Sequence, residues 1–212
     1  MDSQAQQQHP QPALPPLPSK EEIALLEPFG RIGTGGIRVV ATAANAALAI
    51  EEMKGLRVLG FDTESKPTFL KGEVSDGPHV VQFSVADRAW VFQLHEPVCR
   101  ETVAALLAST EVTKVGFGLA GDRTQIMAKF GVPPNAVIDL DNAFRKMGYR
   151  KSVGVKTAIA LVFGRRFLKS KKVATTNWAN PKLSELQVLY AANDAWAAFM
   201  VWQALGEDAR SG

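Results

Sequence analysis

The chain has 212 residues, 46% hydrophobic and 21% charged, with a formal net charge of +3, the make-up of a globular protein with one good-sized core. A single cysteine, Cys99, excludes an internal disulfide framework and fits a reducing, intracellular setting, cytoplasmic or, in a eukaryote, nuclear. The start MDSQAQQQHPQPALPPLPS has no basic opening or apolar stretch, and no run nears the roughly 18 apolar residues of a membrane span, so neither a secretory leader nor a membrane partner is expected.

Residues 1–19, rich in Gln and Pro, are expected to form a disordered arm, and 20–212 a single domain. IRVVAT (37–42) reads as a strand and the Ala-rich stretch 44–53 as a helix. LRVLGFDT (56–63) is apolar at both parities, as in a central strand covered on both faces. HVVQFSVA (79–86) and AWVFQL (89–94) flank Asp87 and Arg88 and predict a hairpin. A helix near 98–109, a short strand TKVGF (113–117) and a helix over 119–130 follow. Beyond them the pattern is helical apart from a short apolar IDL at 138–140. Strands first and helices later, with helices between some strands, predict an α/β fold on a mixed sheet. The last helix is the best marked. Ser184 and Gln187 make a capping box, and Leu186, Tyr190, Asp194, Ala197, Val201 and Leu205 form one stripe.

Four acids stand out against this pattern. GFDTES (60–65) puts Asp62 and Glu64 two positions apart at the end of an apolar strand, and so on one face of it. Carboxylates that close repel unless a cation or a shared proton lies between them. Asp122 sits where GFGLAGD turns from strand to helix, and Asp194 interrupts the apolar stripe one turn after Tyr190. Alone, Asp194 reads equally well as a core acid satisfied by Tyr190 or a backbone amide. Taken together, four carboxylates suit hard divalent cations such as Mg²⁺ or Mn²⁺ rather than zinc. Paired ions roughly 3.5–4 Å apart are a device for in-line attack on a phosphodiester. GFGLAG (116–121) also fits G-x-G-x-x-G, with Asp139 and Asp141 about 20 residues further on. Asp122 argues against a dinucleotide there, because its charge opposes a pyrophosphate at the helix N-terminus. The parallel strands a doubly wound sheet needs downstream are not expected either.

Charge is spread unevenly. No acid occurs between Asp141 and Glu185, and residues 142–184 hold 11 of the 24 Lys and Arg, leaving 13 basic against 21 acidic groups elsewhere. A basic lobe beside an acidic body points to a polyanion partner, with a merely solvated surface as the plain alternative. Arg165, Arg166, Lys169, Lys171 and Lys172 form its centre, with Phe167 and Leu168 as apolar anchors. Lys66 and Trp178 are further candidates for substrate contact, Trp178 against a role in plain packing.

FDTE, GFGLAGD and YAAND, in that order, resemble the three motifs of the DEDD 3′–5′ exonucleases, in the subgroup with tyrosine in the third motif. GVKTA (154–158), LKSKKVATTNW (168–178) and LSELQVLYAANDAW (183–196) look like its Werner-syndrome-exonuclease and ribonuclease D branch, and the resemblance covers about 37–205. Two departures are Gly118, where many relatives carry Asn, and Ser65, where Werner-type enzymes often have Trp. The resemblance implies an RNase H-like fold with a mixed five-stranded sheet flanked by helices. It also implies hydrolysis of nucleic-acid 3′ ends, single-stranded or frayed, to nucleoside 5′-monophosphates with two Mg²⁺ or Mn²⁺ ions. Asp62 would bridge both ions, Glu64 and Asp194 would complete one, and Asp122 would serve the other. Tyr190 and Glu64 would orient the attacking water. Seven residues follow Leu205, so the further helical domain typical of ribonuclease D is not expected, which favours DNA. RNA 3′-end trimming is the alternative within the class, and a non-catalytic nucleic-acid-binding adaptor the alternative outside it.

Overall fold

The structure, a computed structural model, describes residues 14–68 and 75–206; most of the Gln- and Pro-rich arm lies outside the described residues. The helices and strands in chain order are α1 Lys20–Leu25, β1 Ile37–Val40, α2 Ala43–Met53, β2 Val58–Glu64, β3 Val80–Ser84, β4 Ala89–Gln93, α3 Pro97–Ala108, β5 Thr113–Gly116, α4 Ala120–Phe130, β6 Val137–Asp139, α5 Leu140–Lys146, α6 Val155–Phe163, α7 Lys171–Ala174 and α8 Glu185–Ala204.

Local chemistry starts most of the helices. Thr42 accepts the Asn45 N–H at 3.2 Å to open α2. Pro97, with no N–H to leave unpaired, stands in the first turn of α3. The capping box expected at Ser184 and Gln187 is formed at α8. One helix end is closed from outside. The fully buried Lys114 of β5 spends its ammonium on the carbonyls of Leu106, Ser109 and Val112, where α3 ends.

The described residues form one six-stranded sheet in the order β1-β4-β3-β2-β5-β6. The hairpin β3–β4 and the β2–β3 pair are antiparallel, while β1–β4, β2–β5 and β5–β6 are parallel. The sequence predicts five strands, and the sixth is β6, paired with β5 through Val115 opposite Ile138. Three residues carry no readable alternation, so this strand exists only through its partner. It also supplies a downstream parallel strand that the sequence pattern does not show.

Parity then sorts the side chains onto two faces. Leu59, Phe61, Val81, Phe83, Trp90 and Phe92 point to one face and pack with residues of α2, α3 and α4. Val80, Ala89 and Val91 point to the other, where Ala191, Ala192 and Trp196 of α8 cover them. Further along, α8 packs on α5 and α6 through Ala197, Ala198 and Val201 against Leu140, Phe144, Ala158 and Ile159. The single stripe predicted for α8 is too narrow. From Ala191 to Phe199 every residue is buried, whereas Leu186, first in that stripe, is 67% exposed. A helix laid across a sheet and covered by other helices is buried all round, and an amphipathic pattern cannot survive that. Among the described residues no helix is long and apolar enough to cross a membrane.

Candidate active site

The site forms where β2 ends under α8. Gly60, Asp62 and Glu64 share the α8 face of β2, as the period of two requires. A Cβ at Gly60 would lie 2.1 Å from the Ala195 carbonyl oxygen and 2.8 Å from Phe199 Cβ, so only glycine lets α8 press this close. That approach brings Asp194, next to Ala195, over Asp62 and Glu64. Oxygens of these three carboxylates lie within 4.8 Å of one another.

Asp122 joins from the side. Thr63 points to the opposite face of β2, and its Oγ1 donates to Asp122 Oδ1 at 2.7 Å, while its backbone N–H donates to Asp62 Oδ1 at 2.9 Å. One threonine thus holds two of the four acids. The sequence reading passes over it, although a hydroxyl between two carboxylates of a motif is the available signal.

Electrostatics mark the cluster as short of positive charge. Burial, then the charge of Asp194, raises Asp62 above the ordinary carboxylate range. Burial, then Asp62 and Asp194, raises Glu64. Burial raises Asp122 and Asp194 as well. Lys169 Nζ lies 2.6 Å from Asp194 Oδ2 and 5.2 Å from the centre of the Tyr190 ring. Gln82, opposite Asp62 across the β2–β3 pair and fully buried, finds no hydrogen-bond partner for its amide oxygen or its nitrogen among the described residues. Oxygen donors alone, a surplus of carboxylates and unsatisfied buried polar atoms are what a hard divalent cation would complete. Asp62, Glu64 and Asp194 are the residues that could hold it, with Asp122 alongside.

The glycine-rich turn before Asp122 is closed by the protein itself. Gly118 adopts φ +68°, and its N–H and that of Leu119 donate to the two oxygens of Asp139 at 3.1 and 2.9 Å. A carboxylate of β6 therefore lies where a dinucleotide phosphate would bind. Asn also tolerates this left-handed backbone, so glycine at 118 keeps the turn. At the other departure, Ser65 Oγ donates to Gln125 Oε1 of α4 at 2.9 Å.

The candidates for substrate contact separate. Arg165, Lys171 and Lys172 are exposed. Phe167 anchors their loop at 5% exposure, but Leu168, expected as a second anchor, is 61% exposed. Arg166 instead binds the N-terminal segment. Its guanidinium donates to the Ala24 carbonyl at 2.7 Å, and its backbone exchanges bonds with Glu27 and Phe29. Trp178 is 1% exposed, donates Nε1–H to the Ala174 carbonyl at 3.1 Å, and stacks at a tilt 5.8 Å from Tyr190. Its burial assigns it to packing behind Tyr190. Lys66 leaves β2 half-buried, with its backbone N–H on His79 Nδ1 at 3.1 Å. Two more residues bear on the site without having been singled out. Lys156 of α6 is exposed and favours the charged form of Asp194. Asn193, beside Asp194, clamps both the N–H and the carbonyl of Ile32 at 2.9 and 3.2 Å.

A mixed sheet whose central strand carries paired acids under a buried helical acid makes a site that could hold a divalent cation. A family model described as 3′-5′ exonuclease matches residues 37–209, and the chain belongs to that family. It is 31% identical over 152 residues to the bifunctional 3′-5′ exonuclease/ATP-dependent helicase WRN of Mus musculus, covering 70% of this chain and 11% of that protein. It is 30% identical over 162 residues to a 3′-5′ exonuclease of Arabidopsis thaliana, covering 74% and 56%. In both cases the chain spans well under two thirds of the relative's length. Among solved structures, the EXO domain of Aedes aegypti Nibbler superposes with a TM-score of 0.69 at 21% identity, over 82% of this chain and 88% of that one. Trypanosoma brucei RNase D in complex with RNA superposes at 0.71 and 21% identity, over 82% and 64%. These likenesses show the RNase H-like fold, with the sixth strand added to the expected five.

Proposed function

We propose that this domain removes nucleotides one at a time from nucleic-acid 3′ ends, as nucleoside 5′-monophosphates, DNA being favoured. The observation that carries the reading is the cluster of Asp62, Glu64 and Asp194, whose oxygens lie within 4.8 Å of one another. Asp62, Glu64, Asp194 and Asp122 would hold two divalent ions, Mg²⁺ or Mn²⁺. Bound there, they would make water a nucleophile near neutral pH and neutralise charge developing on the phosphoryl oxygens. Glu64 and Tyr190 would aim that water at the terminal phosphorus. The water oxygen bonds to phosphorus, the bond to the 3′ oxygen of the penultimate nucleotide breaks, and that oxygen takes up a proton. Tyr190 acts as a neutral hydroxyl, because burial and then the charge of Asp194 raise its pKa above the ordinary phenol value. DNA is favoured on the Werner-type side of the resemblance, to which the 31% identity with the exonuclease and helicase WRN adds weight.

The test compares matched single-stranded DNA and RNA oligomers, 5′-labelled, with Mg²⁺, with Mn²⁺ and with chelator. A ladder shortening from the 3′ end, release of 5′-monophosphates and silence in chelator are expected, with DNA degraded faster. Faster shortening of RNA would move the proposal to 3′-end trimming, and binding without shortening would leave an adaptor.

The exposed cations give a second expectation. Replacing Arg165, Lys171 and Lys172 together by Ala should raise KM several-fold and leave kcat nearly unchanged at saturation. Each lost phosphate contact should flatten the log–log salt dependence of binding by about 0.7 for a single strand. An unchanged slope would mean that the strand approaches over another surface.

A further inference from the structure

The acid-free stretch contributes more than surface charge. Around residue 168 the chain alternates: Phe167 is buried, Leu168 is exposed, and Lys169 turns back inward. Ser170 then caps α7 by accepting the Val173 N–H at 3.4 Å, which fixes where this short extended segment ends. Lys169 therefore reaches the acid cluster with its stem held between a core anchor and a helix cap. Its ammonium is 2.6 Å from Asp194 Oδ2 and 5.2 Å from the centre of the Tyr190 ring, with the side chain 30% exposed and that of Asp194 only 3% exposed. The same positive charge acts on Asp62, Glu64 and Asp122.

We propose that Lys169 is a resident cation of the acid cluster, which a divalent ion must displace from Asp194 before the site can load. The inference rests on the reading of this cluster as a divalent-cation site. Three close carboxylates need positive charge to coexist, and an unpaired charge in a buried site is strongly destabilising. An ammonium meets that need as a compact point charge on a flexible four-carbon stem, so it can leave when a stronger charge arrives. Lys169 and the ion draw on the same carboxylate, and binding of one opposes binding of the other. Lys169 is thus a positioning residue that sets how readily the site accepts its ion. Arg165, Lys171 and Lys172 point to solvent and do not enter this competition.

Lys169→Met keeps the stem and removes the charge. Calorimetric titration with Mn²⁺ should show about ten-fold tighter binding to this variant than to the wild type, the equivalent of ~1.4 kcal/mol. By linkage, the rise in Tm on adding Mn²⁺ should also be larger in the variant. Equal affinities would overturn the inference and leave the divalent-cation reading standing, whereas no Mn²⁺ binding by either protein would overturn both. If Lys169→Met does not fold, the wild type decides by reductive methylation read by mass spectrometry. Mg²⁺ should speed labelling of Lys169 several-fold over chelator while Lys171 and Lys172 stay unchanged. A Lys169 rate indifferent to Mg²⁺ would overturn the inference.

Discussion

Asp62→Asn should abolish nucleotide release while leaving a folded protein that still packs α8 on β2. Asp62 is the acid proposed to serve both ions, and asparagine keeps its shape while removing the charge that would hold them. Lewis-acid stabilisation of a phosphoryl transition state is worth several kcal/mol, and each 1.36 kcal/mol is ten-fold in rate, so turnover should fall by about 10³–10⁴-fold. More than a tenth of wild-type activity in the purified variant would remove Asp62 from the metal-binding role. Stability should move the other way in chelator. Asp62, Glu64 and Asp194 have pKa values raised in the folded protein, chiefly by burial. Between the ordinary carboxylate range and those raised values the folded state holds more protons than the unfolded one, so stability falls as pH rises through that window. Asp62→Asn deletes one of these groups, and in chelator its Tm should drop less than that of the wild type between pH 6 and pH 8. Asp194→Asn is not equivalent. It strands the Lys169 ammonium, now 2.6 Å from Asp194 Oδ2, and should melt below Asp62→Asn.

Tyr190→Phe should keep metal binding and lose turnover. The ring is held by Trp178 at 5.8 Å and lies under the Lys169 ammonium, and phenylalanine preserves both contacts. What disappears is one hydroxyl beside Asp194. Burial, then the charge of Asp194, raises that hydroxyl above the ordinary phenol range, in keeping with the proposed role of a neutral orienting group and not a base. Groups that position or transfer a proton contribute about 10²–10⁴-fold, and an orienting phenol belongs near the lower end, so kcat should fall by about 10²-fold. The shape of the pH–rate profile should not change, since Tyr190 supplies none of its limbs. Unchanged kcat would make Tyr190 a packing residue, and lost Mn²⁺ binding would make its hydroxyl a prop for Asp194.

Much of the site is legible along the chain because its signals are local. Two carboxylates at a strand spacing of two must share a face, and a tyrosine four residues before an aspartate on a helix must neighbour it. The capping box of α8 and the hairpin after Ser84 are equally short-range, and both are present. Motif order supplied the remainder, linking Asp122 to the others before any contact between them was visible.

What only the tertiary structure decided concerns contacts between distant segments. Asp194 meets Asp62 and Glu64 because Gly60 lets α8 sink onto β2, and no periodicity in either segment encodes that fit. Five cations look alike in GRRFLKSKK, yet Arg166 is tied to Ala24, Lys169 enters the acid cluster, and Arg165, Lys171 and Lys172 stay in water. Trp178 stands beside that run as a candidate for substrate contact, but the fold buries it behind Tyr190. The amino-acid sequence by itself determined which groups are candidates for the chemistry and which neighbours along the chain they face, since backbone geometry repeats every two or 3.6 residues. The burial of each charge, and hence its role, depended on packing between elements far apart in the chain, where close-packed shape and not periodicity sets the distances.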